Sequence, residues 1–175
     1  MSPKRLTREE SRERTRRRIL DAARTLFSKQ GYRGTSLEGI AEAAGFSKGA
    51  VYSNWPSKEA LFLDLLDETV SQPDSQEGVN LAPTRWALAT LEFFLEVIDT
   101  DEIRSALAQR YETARTETAR QLSAGRPNPS WGTWEELSTV VMALGSGLII
   151  QNAIDPQAAN TTLLPRIIEV LAPDQ

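Results

Sequence analysis

The stretch from Ser36 to Tyr52, Ser-Leu-Glu-Gly-Ile-Ala-Glu-Ala-Ala-Gly-Phe-Ser-Lys-Gly-Ala-Val-Tyr, constrains this chain more than any other. Leu37, Ile40, Ala41 and Ala44 recur at helical spacing and stop at Gly45, the residue type that most readily takes the positive φ of a helix-ending turn. Ser47 follows where an N-cap belongs, with a second short helix through Tyr52 behind it. Helices this short are not stable alone, so they must pack on each other. Ala41 is small enough for a helix crossing, and Val51 can plug the second helix into the first. The pattern is that of a helix-turn-helix, and a plain helical hairpin is the blander reading of the same residues.

The remaining segments are also helical. Thr7 and Glu10 have the spacing of a capping box, and Ile19, Leu20, Ala23, Leu26 and Phe27 continue a helix that Gly31 ends. Its first half, Arg8 to Arg18, is almost wholly charged and must stay in water. Thr35 and Glu38 form a second Thr-x-x-Glu pair, which predicts that Thr35 caps the next helix. Ser57 caps a fourth helix bearing Leu61, Phe62, Leu65 and Leu66. Residues 71 to 82 are polar and read as a loop, and Gly125 to Ser130 as another break. Between and after them lie helical patterns over Thr84–Ile98, Asp101–Leu122, Trp131–Ile154 and Leu163–Leu171. No segment alternates as a strand would, so the expected fold is all-α.

Composition narrows function. Among 175 residues there is no cysteine and no histidine, which removes disulfides, thiolate chemistry, the commonest general base and the commonest transition-metal ligand. An enzyme is therefore not expected, nor a metal or cofactor. Glu112 and Glu117 share a helix with Arg115 and Arg120 and read as surface pairs. The apolar run Val140 to Ile150 falls short of the ~20 residues of a membrane span, and the charged start lacks a signal peptide's apolar core. The expectation is a soluble cytoplasmic protein with no membrane partner. Residues 1 to 60 carry 13 Lys/Arg against 7 Asp/Glu, while residues 61 to 175 carry 7 against 17. A basic end on an acidic chain is the footprint of a segment that meets a polyanion, although a solvated charged helix would give the same count.

In a helix-turn-helix the second helix lies in the major groove. Here that presents Ser47, Lys48, Gly49, Ala50, Tyr52, Ser53 and Asn54 to DNA. Gly49 costs an exposed helix ~1 kcal/mol against alanine, which makes sense where a backbone must approach DNA closely. Ala50 could touch a thymine methyl.

Ile19-Leu-Asp-Ala-Ala-Arg-Thr-Leu-Phe27, Gly31-Tyr32, Thr35-Ser36, Ile40-Ala41, Ala44-Gly-Phe-Ser-Lys-Gly-Ala-Val-Tyr52 and Pro56-Ser-Lys-Glu-Ala-Leu61 together resemble the DNA-binding domain of the tetracycline-repressor (TetR) family. The resemblance covers about residues 15 to 62. It implies a three-helix head at residues 1–56, with a basic arm at 1–14, and a helical regulatory and dimerisation domain at 57–175. It also implies that Tyr52 and Lys58 hold phosphates, with Thr35 and Ser36 beside them at the start of the preceding helix. Ser53 and Trp55 depart from the histidine and phenylalanine of many members, which bears on base preference.

The resemblance further implies a homodimer on palindromic double-stranded operator DNA, released by a small apolar or amphipathic molecule. Control by a partner protein is the alternative. Trp86, Phe93, Tyr111 and Trp134, with Phe94, Trp131 and Met142, are candidate cavity linings. Leu144, Gly147, Leu148, Leu164 and Ile168 are the candidate dimer interface.

Overall fold

The computed structural model describes residues 7–71, 84–155, 157 and 163–172. Among the described residues eight helices follow one another: α1 (Arg8–Gln30), α2 (Leu37–Ala44), α3 (Lys48–Tyr52), α4 (Lys58–Ser71), α5 (Thr84–Val97), α6 (Asp101–Ser123), α7 (Trp134–Ile154) and α8 (Leu163–Leu171). The described residues contain no strand, as the all-α reading requires. The loop expected at 71 to 82 lies outside the described residues apart from Ser71, which ends α4.

Local sequence sets most helix ends. The Thr7–Glu10 capping box forms in both directions. Gly45 stops α2 with φ of 72°, a left-handed conformation that favours glycine. Two helix starts differ from expectation, and α5 and α6 each end one residue away from it, at Val97 and Ser123. Ser36 caps α2, its Oγ accepting from the Gly39 N–H at 3.1 Å, so the Thr35–Glu38 box does not form. Likewise α7 begins at Trp134 rather than Trp131, because Thr133 and Glu136 make a reciprocal capping box. At α2 the competing residue, Thr35, stands next to the true cap.

Two hydrophobic clusters organise the chain. The first runs from Ile19, Leu20, Ala23 and Phe27 of α1 through Ile40, Ala41 and Val51 of α2 and α3. It continues into Leu61, Phe62 and Leu65 of α4 and Trp86, Ala89 and Phe93 of α5. Ala41 and Val51 are buried at the α2–α3 crossing, where their size and position place them. At the centre, the Phe62 ring lies 4.9 Å from Phe27, 5.1 Å from Tyr32, 5.0 Å from Trp86 and 4.6 Å from Phe93. One core therefore spans the expected boundary at residue 56. The second cluster joins Ala119, Trp134, Leu137, Val141, Leu164 and Ala172 across α6, α7 and α8.

By length and composition alone α7, at 21 residues, is apolar enough to cross a membrane. The apolar run Val140 to Ile150 is shorter than this helix because Ser138 and Thr139 bound it on one side and Gln151 and Asn152 on the other, polar residues that end the run without ending the helix. Replacing Phe62 with alanine should lower stability by about 3–5 kcal/mol, since four rings lose their common neighbour and a cavity remains. Leu95→Ala, at a side chain 73% exposed, should change it by less than about 0.5 kcal/mol. Urea denaturation of both variants checks this.

Candidate nucleic-acid interface

The helix-turn-helix presents one continuous exposed surface. Ser47 Oγ accepts from the Ala50 N–H at 3.2 Å, which starts α3 and leaves Lys48 and Gly49 in solvent. A Cβ placed on Gly49 would meet only Ser47 Oγ at 3.9 Å, so packing within the chain does not require glycine there. Ser53 Oγ and Asn54 Nδ2 both donate to the Ala50 carbonyl, at 3.0 and 2.8 Å, closing the short helix at its far end.

Tyr52 projects from α3 with 45% of its surface exposed, and its hydroxyl donates to Glu38 Oε1 at 3.0 Å. Lys48 Nζ lies 3.9 Å from the same oxygen. Glu38 is held below the usual carboxylate range, first by its own backbone N–H and then by the Tyr52 hydroxyl. The same bond pushes the Tyr52 phenol up, so at neutral pH the tyrosine is a donor and the glutamate an anion.

On one flank, Ser36 is exposed at the start of α2. Its neighbour Thr35 is not available as expected. Only 3% of it is accessible, and its hydroxyl donates to the Gly31 carbonyl at 2.8 Å, because Ser36 has taken the cap and turned Thr35 inward. On the other flank, Ser57 Oγ accepts from the Ala60 N–H at 3.2 Å. Lys58 Nζ donates to the Tyr32 carbonyl at 3.1 Å and sits 4.0 Å from the Tyr32 ring centroid. Its charge is thus lodged on neutral acceptors. A third flank is an open groove in which Arg8, Arg12 and Thr15 of α1 face Ala50, Ser53 and Asn54.

Charge fixes this surface to the rest of the molecule. Arg18 Nη2 donates to the Ala44 carbonyl at 3.2 Å and its guanidinium covers Phe46, so a cation sits at the carbonyl end of α2. Behind α3, the buried Trp55 donates through Nε1 to Asp64 Oδ2 at 2.6 Å, and Arg16 Nη2 reaches the same oxygen at 2.5 Å. Arg16 also lies over the Trp55 ring and 3.8 Å from Glu68, which Arg24 meets at 3.4 Å. On its other side α4 offers Asp67 to Arg110 of α6 in a two-pronged bond of 2.7 and 2.9 Å.

That last pair stands at the wall of a cavity of about 510 Å³ between α4, α5, α6 and α7. Leu66, Trp86, Phe94, Leu107, Tyr111 and Met142 line it with Asp67 and Arg110. Of the seven residues expected to line it, Trp86, Phe94, Tyr111 and Met142 do. Phe93 is instead fully buried in the aromatic core. Trp134 belongs to the second cluster, where its Nε1 donates to the Arg126 and Pro127 carbonyls and Arg126 stacks on its ring. Trp131 lies before α7 and donates to the Leu171 carbonyl. Bulk alone could not separate a core ring from a lining one.

Sequence reasoning also missed Glu38 and the Asp67–Arg110 pair. Glu38 was assigned to a cap that does not form. The pair is separated by 43 residues, and nothing local links its members.

A capped recognition helix, exposed Lys48 and Tyr52, and a capped helix start beside them define a helix-turn-helix DNA-binding regulator. A family model described as bacterial regulatory proteins, tetR family, matches residues 19–65. The HTH-type transcriptional repressor AcnR of Corynebacterium efficiens is 31% identical over 128 residues, covering 64% of this chain and 68% of that protein. The A-factor receptor protein of Streptomyces griseus is 30% identical over 136 residues, covering 75% of this chain and 44% of that protein. A solved TetR-family regulator from Rhodococcus shares the fold with a TM-score of 0.70 at 21% identity, covering 91% of this chain and all of that one. The chain belongs to the TetR family of transcriptional regulators.

Replacing Asp64 with alanine would strand the Trp55 N–H and the Arg16 guanidinium together. Loss of a part-buried acceptor shared by two donors should cost about 1–3 kcal/mol in urea denaturation. Glu68→Ala, which leaves Asp64 in place for both donors, should cost less.

Proposed function

We propose that this protein is a homodimeric repressor that holds a near-palindromic operator through residues 36 to 58 and is released by a small apolar or amphipathic ligand. The observation that carries this reading is the arrangement of charge on α4. Asp64 and Glu68 bind it to α1 and the end of the recognition element, while Asp67 binds it to Arg110 at the cavity wall. A molecule entering the cavity meets the element that sets the DNA surface. The receptor named among the relatives favours the same reading. So does a cavity of this volume, where control by a partner protein would need none.

The head is assigned to residues 1–56 and the regulatory and dimerisation part to 57–175, with their shared core transmitting shifts between them. Ser36, Ser47, Lys48, Gly49, Ala50, Tyr52, Ser53, Asn54 and Lys58 form the DNA surface, with Arg8 and Arg12 beside it. Lys58 must exchange its carbonyl partner for a phosphate on binding.

The dimer reading rests on α7 and α8. Val140, Ile150, Ile154, Leu163 and Val170 are exposed apolar side chains on these two helices, and an added Cβ at Gly147 would meet nothing within 4 Å, whereas the space beside Gly145 belongs to the cavity. A second copy packed there would cover an apolar helix that is otherwise exposed. Leu164 does not belong to that surface, because it is 4% exposed within the second cluster. Leu144, Leu148 and Ile168 are partly buried against that cluster and Gly147 is half-buried, so these four border the interface.

Two outcomes test the proposal. Affinity for a selected duplex should fall steeply with salt. Lys48→Ala should change which sequence is preferred, whereas Tyr52→Ala should weaken binding to all sequences alike, as phosphate contacts do. Binding insensitive to salt, or monomers that bind the full site tightly, would contradict it. For release, a ligand found by quenching of tryptophan fluorescence should bind less tightly when duplex is present, by about 1–3 kcal/mol of coupling. In Arg110→Ala the ligand should still bind but that difference should shrink. Equal ligand affinity with and without duplex in the unaltered protein would remove the inducer role from the cavity.

A further inference from the structure

The DNA surface contains a carboxylate, which needs an explanation. Phosphates repel it, and a duplex carries one negative charge per ~1.7 Å of axis. Glu38 nevertheless sits in the first turn of α2 with 43% of its side chain exposed, between Lys48 and Tyr52. No other described side chain makes a polar link from α2 to α3 in the hydrogen bonds and ion pairs of this molecule.

Two of its properties narrow what it can do. It is an anion, with acceptors only, held so by a backbone N–H and a phenol donor. And it engages the two side chains that a phosphate-only complex would use first. A non-specific complex must draw Lys48 and Tyr52 away from Glu38 and then leave the carboxylate facing a polyanion. A specific complex can repair that loss only by offering a donor. In the major groove the donors are the exocyclic amines of cytosine and adenine, and carboxylates pair with cytosine N4.

We infer that Glu38 is a specificity-determining residue: it penalises phosphate-only binding and is satisfied in the operator complex by a base amine, cytosine N4, at one position of each half-site. The inference rests on the DNA surface assigned above. It adds a base-reading carboxylate on α2 to a recognition helix, α3, that is only five residues long.

The test selects duplexes from a randomised pool with the wild-type protein, Glu38→Gln and Tyr52→Phe. It then measures each protein's affinity for the wild-type-selected duplex and for an unrelated duplex of equal length. The wild-type motif should hold a fixed G·C pair, in one orientation, at one position of each half-site, and an A·T pair at every fixed position would overturn the inference. Glu38→Gln should lose that preference and bind the unrelated duplex about tenfold more tightly, narrowing the ratio between specific and non-specific affinity. Tyr52→Phe removes the phenol donor but keeps the carboxylate, so it should retain the G·C preference at that position. If Tyr52→Phe loses that preference as Glu38→Gln does, the glutamate merely positions the tyrosine and the inference is overturned. It is also overturned if Glu38→Gln selects the same motif with unchanged non-specific affinity. A wild-type protein that selects no motif would overturn the DNA surface itself, and this inference with it.

Discussion

The joint between the helix-turn-helix and the bundle depends on Phe62 being shared. Its ring is enclosed by Phe27 of α1, Tyr32 of the following turn, and Trp86 and Phe93 of α5. Aromatic contacts of this kind add about 1 kcal/mol each to the area they bury, and four converge on one side chain. The helix-turn-helix is too small to hold a core of its own. It borrows one from α4 and α5, so the position of the recognition helix is set by the same packing that forms the start of the bundle.

Hydrophobic packing fixes α4 but does not tell its two sides apart; charge does. Asp64 and Glu68 face the arginines of α1, and Asp67 faces Arg110. Ion pairs between half-exposed side chains are worth little individually. Their value here is geometric, since a two-pronged arginine–carboxylate bond defines an orientation as well as a distance. The row of acids turns α4 into a bar bolted at one side to α1 and the end of the helix-turn-helix and at the other to the cavity wall. Tyr32 extends the same joint, with its hydroxyl on Glu59 and its carbonyl on Lys58.

The sequence revealed the parts of this arrangement governed by neighbours. Periodicity located every helix, and α8 at Leu163–Leu171 agrees residue for residue. Gly45, Ser47, Ser57, Ala41 and Val51 have the local roles their chemistry implied. Errors arose where two residues of similar chemistry competed. Thr35 and Ser36 are both capping residues, and only the turn at Gly31 to Gly34 decides that Ser36 is the cap and Thr35 is buried. Phe93 and Phe94 are adjacent and equally apolar, yet one is in the core and the other lines the cavity, because successive helical residues point about 100° apart. The Asp67–Arg110 pair and the Glu38 network depend on how helices are placed in space, and no local pattern carries that.

In the proposed complex the surface from Ser36 to Lys58 meets duplex DNA while α4 remains the link to the bundle. Amide hydrogen exchange of the whole protein, with and without a duplex it has selected, tests it most directly. The account predicts slowed exchange at the start of α2, throughout α3 and at the start of α4, with little change in the second cluster around Trp134 and Leu137. Slowing confined to α7 and α8, or no slowing between Ser36 and Lys58 at saturating duplex, would contradict it.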